Sequence, residues 1–489
     1  RRFFSKAPPS VRLVAIGTLF YSFIIVTFQS LSPFHAITKT WVSITCFLLA
    51  LVSHLAWGSY KNFNADIEPI RIWIRDGLNS RWSGLLILCG FVILLSFSRA
   101  LLMPPLAWDS LSYHLTFAAL WVKKGTLFLF KAPDQIIENV FFPINGDIFT
   151  SWLILPFNSD LLVNTVNFPI TLLGGISCYS IARELGLTRK EASFAPALIC
   201  FASMIYVQIT TQYVDNAVFA FCLVSVLFAL RYLRRGNFLD ALLAFIAAGI
   251  LVGIKYSSIP VAGIIIAALT LKTLFLAQGA GFFKKVSWLL LGLIIICVLG
   301  GRQYIQNSIE GRNPLYPFPL KIGQLHLFNG SDKLQQVNEW VPEYEKYAGI
   351  DRLSEWEKEY KKFLYINRAA GPKFFLFLIL ALISLIIRPR DIPKRDWYFL
   401  ALLWIVPVVI FYSNSPASFT RKAAWIVGST RFLSPAIALF TIQSLVFIKR
   451  FSKYNTTISF LFVALIAWDI LYSNITHLWE VEVLFPYAI

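Results

Sequence analysis

Long apolar segments separated by short polar connections recur along the whole chain. Thirteen of them approach the roughly 20 residues that an α-helix needs to cross a bilayer, although several are short. A further apolar segment at 147–157 is too short to cross comfortably, and we predict that it lies at the interface or re-enters the membrane. The pattern predicts an all-α integral membrane protein, a polytopic bundle of about thirteen transmembrane helices. The thirteen segments lie at 11–31, 41–58, 83–103, 161–182, 192–212, 213–233, 238–254, 257–277, 286–302, 373–387, 397–412, 429–448 and 456–474.

The first apolar segment follows a basic stretch, from Arg1 to Arg12, that resembles the start of a signal peptide. It is nevertheless about as long as a spanning helix and has no convincing small-residue cleavage site. We therefore expect it to remain in the protein as a helix.

Basic residues are concentrated in alternate connections between the segments. Lys and Arg are enriched in cytoplasmic loops, so the alternation predicts an inside N-terminus and, after an odd number of helices, an outside C-terminus. The net charge of +18 belongs to these short clusters, which argues against nucleic-acid binding. The clusters are Arg1, Arg2, Lys6 and Arg12; Lys61, Arg71, Arg75 and Arg81; Arg183, Arg189 and Lys190; Arg231, Arg234 and Arg235; Lys284 and Lys285; Arg388, Arg390, Lys394 and Arg395; and Lys449, Arg450 and Lys453.

The composition agrees with a membrane protein, because 57% of the residues are hydrophobic and only 14% are charged. The cysteines all fall inside apolar segments, where their spacing suits neither a zinc site nor a disulfide framework, and we expect them to pack in the interior. They are Cys46, Cys89, Cys178, Cys200, Cys222 and Cys297.

The same pattern divides the chain into five predicted regions. Transmembrane helices at the N-terminus, in the centre and at the C-terminus alternate with two outer segments, of which the first carries interfacial helices and the second forms an extracytoplasmic loop or cap. In chain order the regions are 1–103, 104–160, 161–301, 302–372 and 373–489.

Polar features far apart in the chain are predicted to meet at the outer membrane face. Snorkelling or capping residues would scatter over both faces, so this convergence favours a functional site. The features are Asp109, Asp215, Lys255, the segment from Arg302 to Lys373, and Arg431.

Two acidic residues are candidates for chemistry. Asp109 follows Trp108 and precedes an amphipathic pattern, so its carboxylate either caps a helix or faces a membrane-bound substrate as a catalytic group. Asp215 precedes an apolar segment, where it either complements the positive end of a helix dipole or acts in the site. Tyr113 and His114 either cover an apolar surface or contact substrate, and His114 could bind a hydroxyl or a metal.

Two basic residues allow a similar pair of interpretations. Lys255 lies at a break between two apolar segments and Arg431 lies near the start of another, so both could simply snorkel to the interface. An ammonium and a guanidinium there are equally suited to binding a phosphate.

The long outer segment, 302–372, opens with a proline-rich stretch that imposes an extended or turned backbone. Aromatic residues then recur at helical spacing, which predicts short amphipathic helices lying over the outer face. They form either a solvated cap or a lid with aromatic rings for an acceptor. These residues are Trp340, Tyr344, Tyr347, Trp356, Tyr360 and Phe363.

Several motifs in the same order resemble bacterial GT-C glycosyltransferases related to the protein-mannosyltransferase and aminoarabinose-transferase group. The stretch WDSLSYHLTFAALWVKKG, which contains Asp109, resembles the first outer loop of that group. It is followed by YVDNA, by Gly253-Ile254-Lys255-Tyr256, by NPLYP at Asn313 to Pro317, and by Arg431-Phe432-Leu433-Ser434-Pro435. The resemblance spans residues 104 to 435, but the WWDYG signature of oligosaccharyltransferases and the Asp-Glu pair of protein mannosyltransferases are absent.

The resemblance implies a GT-C-like bundle that transfers a sugar from a polyprenyl-phosphate donor to a lipid, glycan or protein acceptor. It places the protein in the bacterial inner membrane with an extracytoplasmic active site. Asp109 would be the general base of an inverting displacement, and Asp215 would orient the acceptor or share a divalent metal ion with Asp109. No cofactor is certain, and metal dependence stays open. The substrate-binding candidates are Tyr113, His114, Lys255, Arg302, Tyr316 and Arg431.

Two other classes of function remain open at this stage. A transporter or a flippase for lipid-linked saccharides would also be polytopic, but such proteins usually place ionisable groups near the midplane between repeated halves. The third alternative is a non-catalytic membrane subunit, which needs no convergent acids.

Overall fold

The structure of the protein is a computed structural model that describes most of the chain. The described residues are 7–57, 83–129, 137–276, 281–310, 313–322, 325–331, 373–414, 431–451 and 456–484, with 68, 71–72, 74–75, 78–79, 354 and 371. The predicted aromatic helices of the outer segment, between 340 and 364, lie outside these residues.

Each of the thirteen apolar segments coincides with helical structure, which confirms the all-α polytopic fold class. Among the described residues, seven helices are long and apolar enough to cross a membrane, a bent pair could form one more span, and further apolar helices are shorter. The helices are α1 Pro9–Leu31, α2 Lys39–Trp57, α3 Ser83–Leu102, α4 Leu115–Lys124, α5 Asn145–Ile154, α6 Asn167–Glu184, α7 Arg189–Ala192, α8 Phe194–Cys200, α9 Ser203–Tyr206, α10 Asp215–Arg235, α11 Phe238–Val252, α12 Ile259–Leu271, α13 Phe282–Gly300, α14 Arg302–Ile309, α15 Lys373–Ile386, α16 Lys394–Asn414, α17 Ser434–Phe451 and α18 Thr456–Leu484.

Strand structure in the described residues is limited to one hairpin in the outer segment. Strands β1, Leu320–Ile322, and β2, Leu325–Phe328, pair in an antiparallel fashion. The short apolar segment after Asp147 forms α5, which has 10 residues and is too short to span a bilayer alone.

Exposure differs strongly among the apolar helices. Only 17% of the apolar window of α3 and 11% of that of α13 are buried in the protein, whereas the window of α10 is fully buried. In a bilayer, an apolar helix that the protein leaves uncovered faces lipid, and one that is apolar on all sides and covered belongs to the interior.

The chain folds into two compact units that are each built from separate stretches of sequence. The first contains 1–128, 147–216 and 452–489, and the second contains 129–146 and 217–451. In the first unit, α1 packs against α2 and α6, and α6 packs against α8. A glycine allows α6 and α8 to approach closely. A methyl group on Gly175 of α6 would lie only 3.2 Å from the sulfur of Cys200 of α8.

The predicted continuous segment at 192–212 is broken in the structure. The helical stretches Arg189–Cys200 and Ser203–Thr210 meet at an angle of 67°. Buried asparagine amides provide donors to carbonyl groups beyond the break: Asn216 donates to Ile205 O at 3.0 Å, and Asn167 donates to Gln208 O at 3.2 Å. Side chains thus replace part of the backbone hydrogen bonding that an unbroken helix would supply. The periodicity of apolar residues does not predict such side-chain hydrogen bonds.

In the second unit, α11 packs against α12 and α13, while α17 packs against α15 and α16. Two ion pairs with buried carboxylates lie at one end of these helices. Arg231 Nε donates to Asp240 Oδ1 at 2.9 Å, and Arg234 Nε donates to Asp396 Oδ2 at 2.7 Å. They join the end of α10 to the starts of α11 and α16, so these helix ends are held by charge-assisted hydrogen bonds.

Candidate functional site

The first outer motif contains a π-helical turn in the first unit. Residues Ser110–His114 form this turn, and the N–H of Leu115 donates to the carbonyl of Ser110, five residues earlier. The helix then continues in the ordinary α-form as α4. Turns of this kind are rare and are found frequently at functional sites, because they insert one extra residue into the helix. Apolar periodicity did not predict the turn.

Asp109 immediately precedes the π-helical turn and is half-buried. Its dihedral angles, φ −63° and ψ −29°, are those of a residue inside a right-handed helix, and its side chain makes no capping hydrogen bond. The capping interpretation of Asp109 is therefore wrong. Beside it, Trp108 is 78% exposed, which suits a residue at a membrane interface.

The segment that leads into Asp215 is hydrogen bonded to the start of the π-helical turn. The backbone N–H of Gln212 donates to Ser110 Oγ at 3.2 Å, and the N–H of Asp109 donates to the hydroxyl of Tyr213 at 3.3 Å. Asp215 itself is buried and begins α10, as its position before an apolar segment predicted. The fold thus brings together the two segments that carry the candidate acids.

Buried amide side chains hold this acidic region in place. Asn167 donates to the carbonyl oxygens of Thr211 and Tyr213 at 2.9 and 2.8 Å. Gln212 donates from Nε2 to Asn164 at 2.7 Å. Because these groups are buried, each hydrogen bond removes a desolvation cost that the loop would otherwise carry.

His114 pairs with Asp147 in the interior of the first unit. Its Nδ1 lies 2.6 Å from Asp147 Oδ1, and both residues are only 5% exposed. Burial raises the pKa of Asp147, and the nearby imidazole of His114 opposes that shift. Sequence reasoning noted Asp147 only as the start of a short apolar segment, since the two partners are 33 residues apart.

The second unit carries the four basic or aromatic candidates that follow residue 250. Two of them, Lys255 and Arg302, each come two residues after a glycine at a helix contact. A methyl group on Gly253 would lie 2.9 Å from the Cα of Gly300, so the close approach of α11 to α13 requires glycine. Asn145 closes the same contact by donating to the carbonyl oxygens of Ile250 and Leu299 at 3.2 and 2.8 Å, respectively.

Arg302 begins α14 directly after this contact. Its guanidinium is partly covered, and burial lowers its pKa from the ordinary value for arginine. Arginine side chains stay protonated in proteins even when partly buried, so the guanidinium carries its charge. The desolvated charge favours a nearby anion.

The hydroxyl of Tyr256, the residue after Lys255, is the centre of a hydrogen-bond network that includes the backbone of Tyr316. The hydroxyl of Tyr256 donates to the carbonyl oxygens of Phe141 and Tyr316 at 2.7 and 3.0 Å. Asn307, which is fully buried, donates to the hydroxyl of Tyr256 at 2.9 Å. The neighbour of Lys255 is therefore fixed by three separate parts of the second unit, and the ring of Tyr316 packs edge-on against Phe141 at 4.7 Å between centroids.

Lys255 and Arg431 meet on the ring of Phe432. Lys255 has an extended backbone between α11 and the turn that precedes α12, and its Nζ lies 3.8 Å from the ring centroid. The Cζ of Arg431 lies 5.4 Å from the same centroid. Two residues that the sequence separates by most of the second unit are thus brought to one aromatic side chain.

Metal binding was left open by the sequence. Within the described ranges, no group of three or more His, Cys, Asp or Glu side chains is arranged to hold a metal ion. That the acidic and the basic candidates share one membrane face stays a prediction.

Comparisons with known proteins found similarity to solved structures but not to a family model or a curated protein. The chain is similar to the crystal structure of ArnT from Cupriavidus metallidurans in the apo state, with 17% sequence identity and a TM-score of 0.45. The match covers 76% of this chain and 61% of the ArnT chain, so the chain spans less than two thirds of that protein's length.

Proposed function

We propose that the protein is a membrane glycosyltransferase that moves a sugar from a polyprenyl-phosphate donor to an acceptor hydroxyl at the outer membrane face. The observation that carries the proposal is the meeting of Lys255 and Arg431 on the ring of Phe432. Both cationic groups lie within 5.4 Å of its centroid. Two cationic groups at one ring attract an anion that binds close to both.

A phosphate suits these cations better than a carboxylate because it offers more acceptor oxygens. A guanidinium can bind it through two parallel hydrogen bonds and an ammonium through a third. The ring of Phe432 keeps both cations oriented by cation–π attraction, worth about 0.5–2 kcal/mol each depending on solvent exposure.

A small cavity of about 20 Å³ opens beside the ring of Phe432 in the second unit, and its lining is mostly apolar. It has room for about one water molecule, so a bound hydrocarbon chain would have to widen it. Its walls include Cys222, Leu251, Ser258, Val261, Pro407 and Pro435. An anionic group next to an apolar cavity is the chemical pattern of a phospholipid or a polyprenyl phosphate.

In the proposed reaction, the carboxylate of Asp109 accepts the proton of the acceptor hydroxyl. The acceptor oxygen forms a bond to the anomeric carbon of the sugar as the bond between that carbon and the phosphate oxygen breaks. The polyprenyl phosphate leaves with the bonding electron pair, and Lys255 and Arg431 stabilise its added charge. A single displacement inverts the anomeric centre. Asp215, on the segment bonded to Asp109, orients the acceptor, and Tyr113 contacts the sugar or acceptor.

The cation pair is tested by donor binding to purified protein. Lys255→Gln and Arg431→Gln should each weaken binding of a polyprenyl-phosphate sugar by about 10-fold or more, because each removes a charge-assisted hydrogen bond of about 1.5–3 kcal/mol. Lys190→Gln, an exposed lysine at the start of α7, is the matched control and should leave affinity unchanged. Unchanged affinity in both test variants would mean that the two cations only snorkel.

Transfer itself is tested in membranes that contain the protein and a radiolabelled polyprenyl-phosphate sugar. We expect time-dependent loss of label from the lipid and its appearance on an acceptor, in amounts that depend on the wild-type protein. Movement of intact labelled lipid across the bilayer, without cleavage, would contradict the proposal and favour a flippase.

A further inference from the structure

The buried pair of His114 and Asp147 has no part in the reaction proposed above. The short separation of 2.6 Å between Nδ1 and the carboxylate oxygen is typical of a charge-assisted hydrogen bond. Such a pair is a poor source of stability, because apolar residues of similar volume are often equally or more stabilising in the same place. The pair therefore calls for an explanation other than stability.

The position of His114 supplies one. It is the last residue of the π-helical turn Ser110–His114, whose first residue follows Asp109 directly. Its ring centroid lies 4.1 Å from that of Tyr113 and 6.3 Å from that of Tyr213. The hydroxyl of Tyr213 accepts the backbone N–H of Asp109. The imidazole therefore packs against Tyr113 and lies near Tyr213, whose hydroxyl is bonded to the backbone of Asp109.

The bond to Asp147 determines how the imidazole is held. A hydrogen bond from Nδ1–H to a buried carboxylate fixes the ring plane and leaves the proton of neutral histidine on Nδ1. Asp147 lies on α5, and the hydroxyl of Ser151 one turn later donates to the backbone carbonyl of Asp147 at 2.9 Å and to that of Ala118 at 3.4 Å. The carboxylate is thus carried by a helix that is itself bonded to α4.

We propose that Asp147 is a positioning residue for the transfer reaction, an inference that rests on the proposed function: it holds the imidazole of His114, and the imidazole fixes the π-helical turn that presents Asp109 and Tyr113. Neither Asp147 nor His114 needs to contact the substrate for this role. Loss of the pair frees the turn and misplaces the base.

The pair itself is tested without any activity measurement. The protein has five histidines, so the ¹⁵N-histidine NMR spectrum of the protein in detergent contains few ring signals. The signal that is missing from the spectrum of His114→Gln belongs to His114. We expect a ring N–H of His114 that is protected from solvent exchange in the wild type and unprotected in Asp147→Leu. Thr150→Val, a fully buried position on the same helix, is the matched control and should keep the protection. Protection that survives in Asp147→Leu would overturn the pairing.

The positioning role is tested by kinetics on the same variants. Asp147→Leu should lower kcat by about 10²-fold with donor KM unchanged, the size expected from a misplacement of about 1 Å. Asp147→Asn keeps an acceptor oxygen and should fall between the wild type and Asp147→Leu, whereas a merely structural role would make the loss follow the melting temperature. If wild-type protein transfers sugar and Asp147→Leu matches Thr150→Val, the positioning role is wrong while the proposed function stands. Wild-type protein that binds donor but transfers nothing contradicts the proposed function, whatever NMR shows of the pair.

Discussion

At the scale of single residues, Asp109 has two competing interpretations, one catalytic and one structural. The structure removes helix capping as the explanation for this acid, since its side chain makes no capping hydrogen bond and its backbone is helical. Asp109 is half-buried and lies beside an exposed tryptophan, so part of its side chain is exposed at the protein surface.

We therefore predict that Asp109→Asn lowers the rate of sugar transfer by about 10²–10⁴-fold, because an amide keeps the shape of the side chain but cannot accept the proton of the acceptor. Donor affinity and melting temperature should stay close to those of the wild type. Asp160→Asn, an exposed acid in the same unit, serves as the control. Near-normal transfer by Asp109→Asn would remove Asp109 from the mechanism.

The sequence identified charged residues as candidates for a site, but it did not predict the residues that pack against them or hydrogen bond to their segments. Lys255 and Arg431 were recognisable because they lie outside the basic clusters of the connections predicted inside. Tyr213, Asn307 and Asp147 were not, since an isolated polar residue in a helix or loop has no periodic signal. Their roles depend on partners that only the folded chain brings near. His114 and Asp147, for example, are 33 residues apart in the sequence.

At the scale of secondary-structure elements, the π-helical turn Ser110–His114 is the feature most closely tied to the proposed chemistry. It lets Ser110 contact the segment before Asp215 while His114 reaches Asp147. In an α-helix each residue advances by about 100°, so removal of one residue rotates the two ends of the turn against each other by about that angle.

Deletion of Ser112 should therefore convert the turn to ordinary α-helix and break one of these two contacts. We expect the protein to remain folded in detergent, since the α-form is the more common helix, and to lose about 10²-fold or more in transfer rate. Ser112→Ala keeps the number of residues and should retain activity. A deletion variant as active as Ser112→Ala would show that the extra residue has no functional importance.

Elements were predicted well where length and apolarity alone decide them. All thirteen apolar segments are helical, and their ends agree with the structure to within a few residues for most of them. The exception is the segment at 192–212, which is bent by 67°. Its apolar side chains suit a straight helix, but the amides of Asn167 and Asn216 make the broken form acceptable, and they lie outside the segment.

At the scale of the whole molecule, the predicted topology places the N-terminus inside and alternates from there. Single cysteines introduced at exposed positions into a variant without native cysteines test it directly. Ser159→Cys and Asn329→Cys should react with a membrane-impermeant maleimide added to intact cells, because both follow an odd number of predicted spans.

Lys190→Cys, Arg235→Cys and Asp391→Cys should react only after the membrane is permeabilised, because these exposed positions lie in the basic connections predicted inside. Labelling of all five after permeabilisation controls for access to each site. Reaction of Arg235→Cys in intact cells would show that the orientation of α10 is opposite to the predicted one. Asp215 would then lie on the inner side, which would contradict an extracytoplasmic site.

The broken segment also has a consequence for how the protein is made. The carbonyl oxygen of Ile205 is bonded by Asn216, which the ribosome adds after the segment is complete. A carbonyl group without a donor costs several kcal/mol in hydrocarbon, so a side-chain donor at the bend favours the bent form. We therefore expect the bent segment to reach its final form only after the start of α10 has followed it into the membrane.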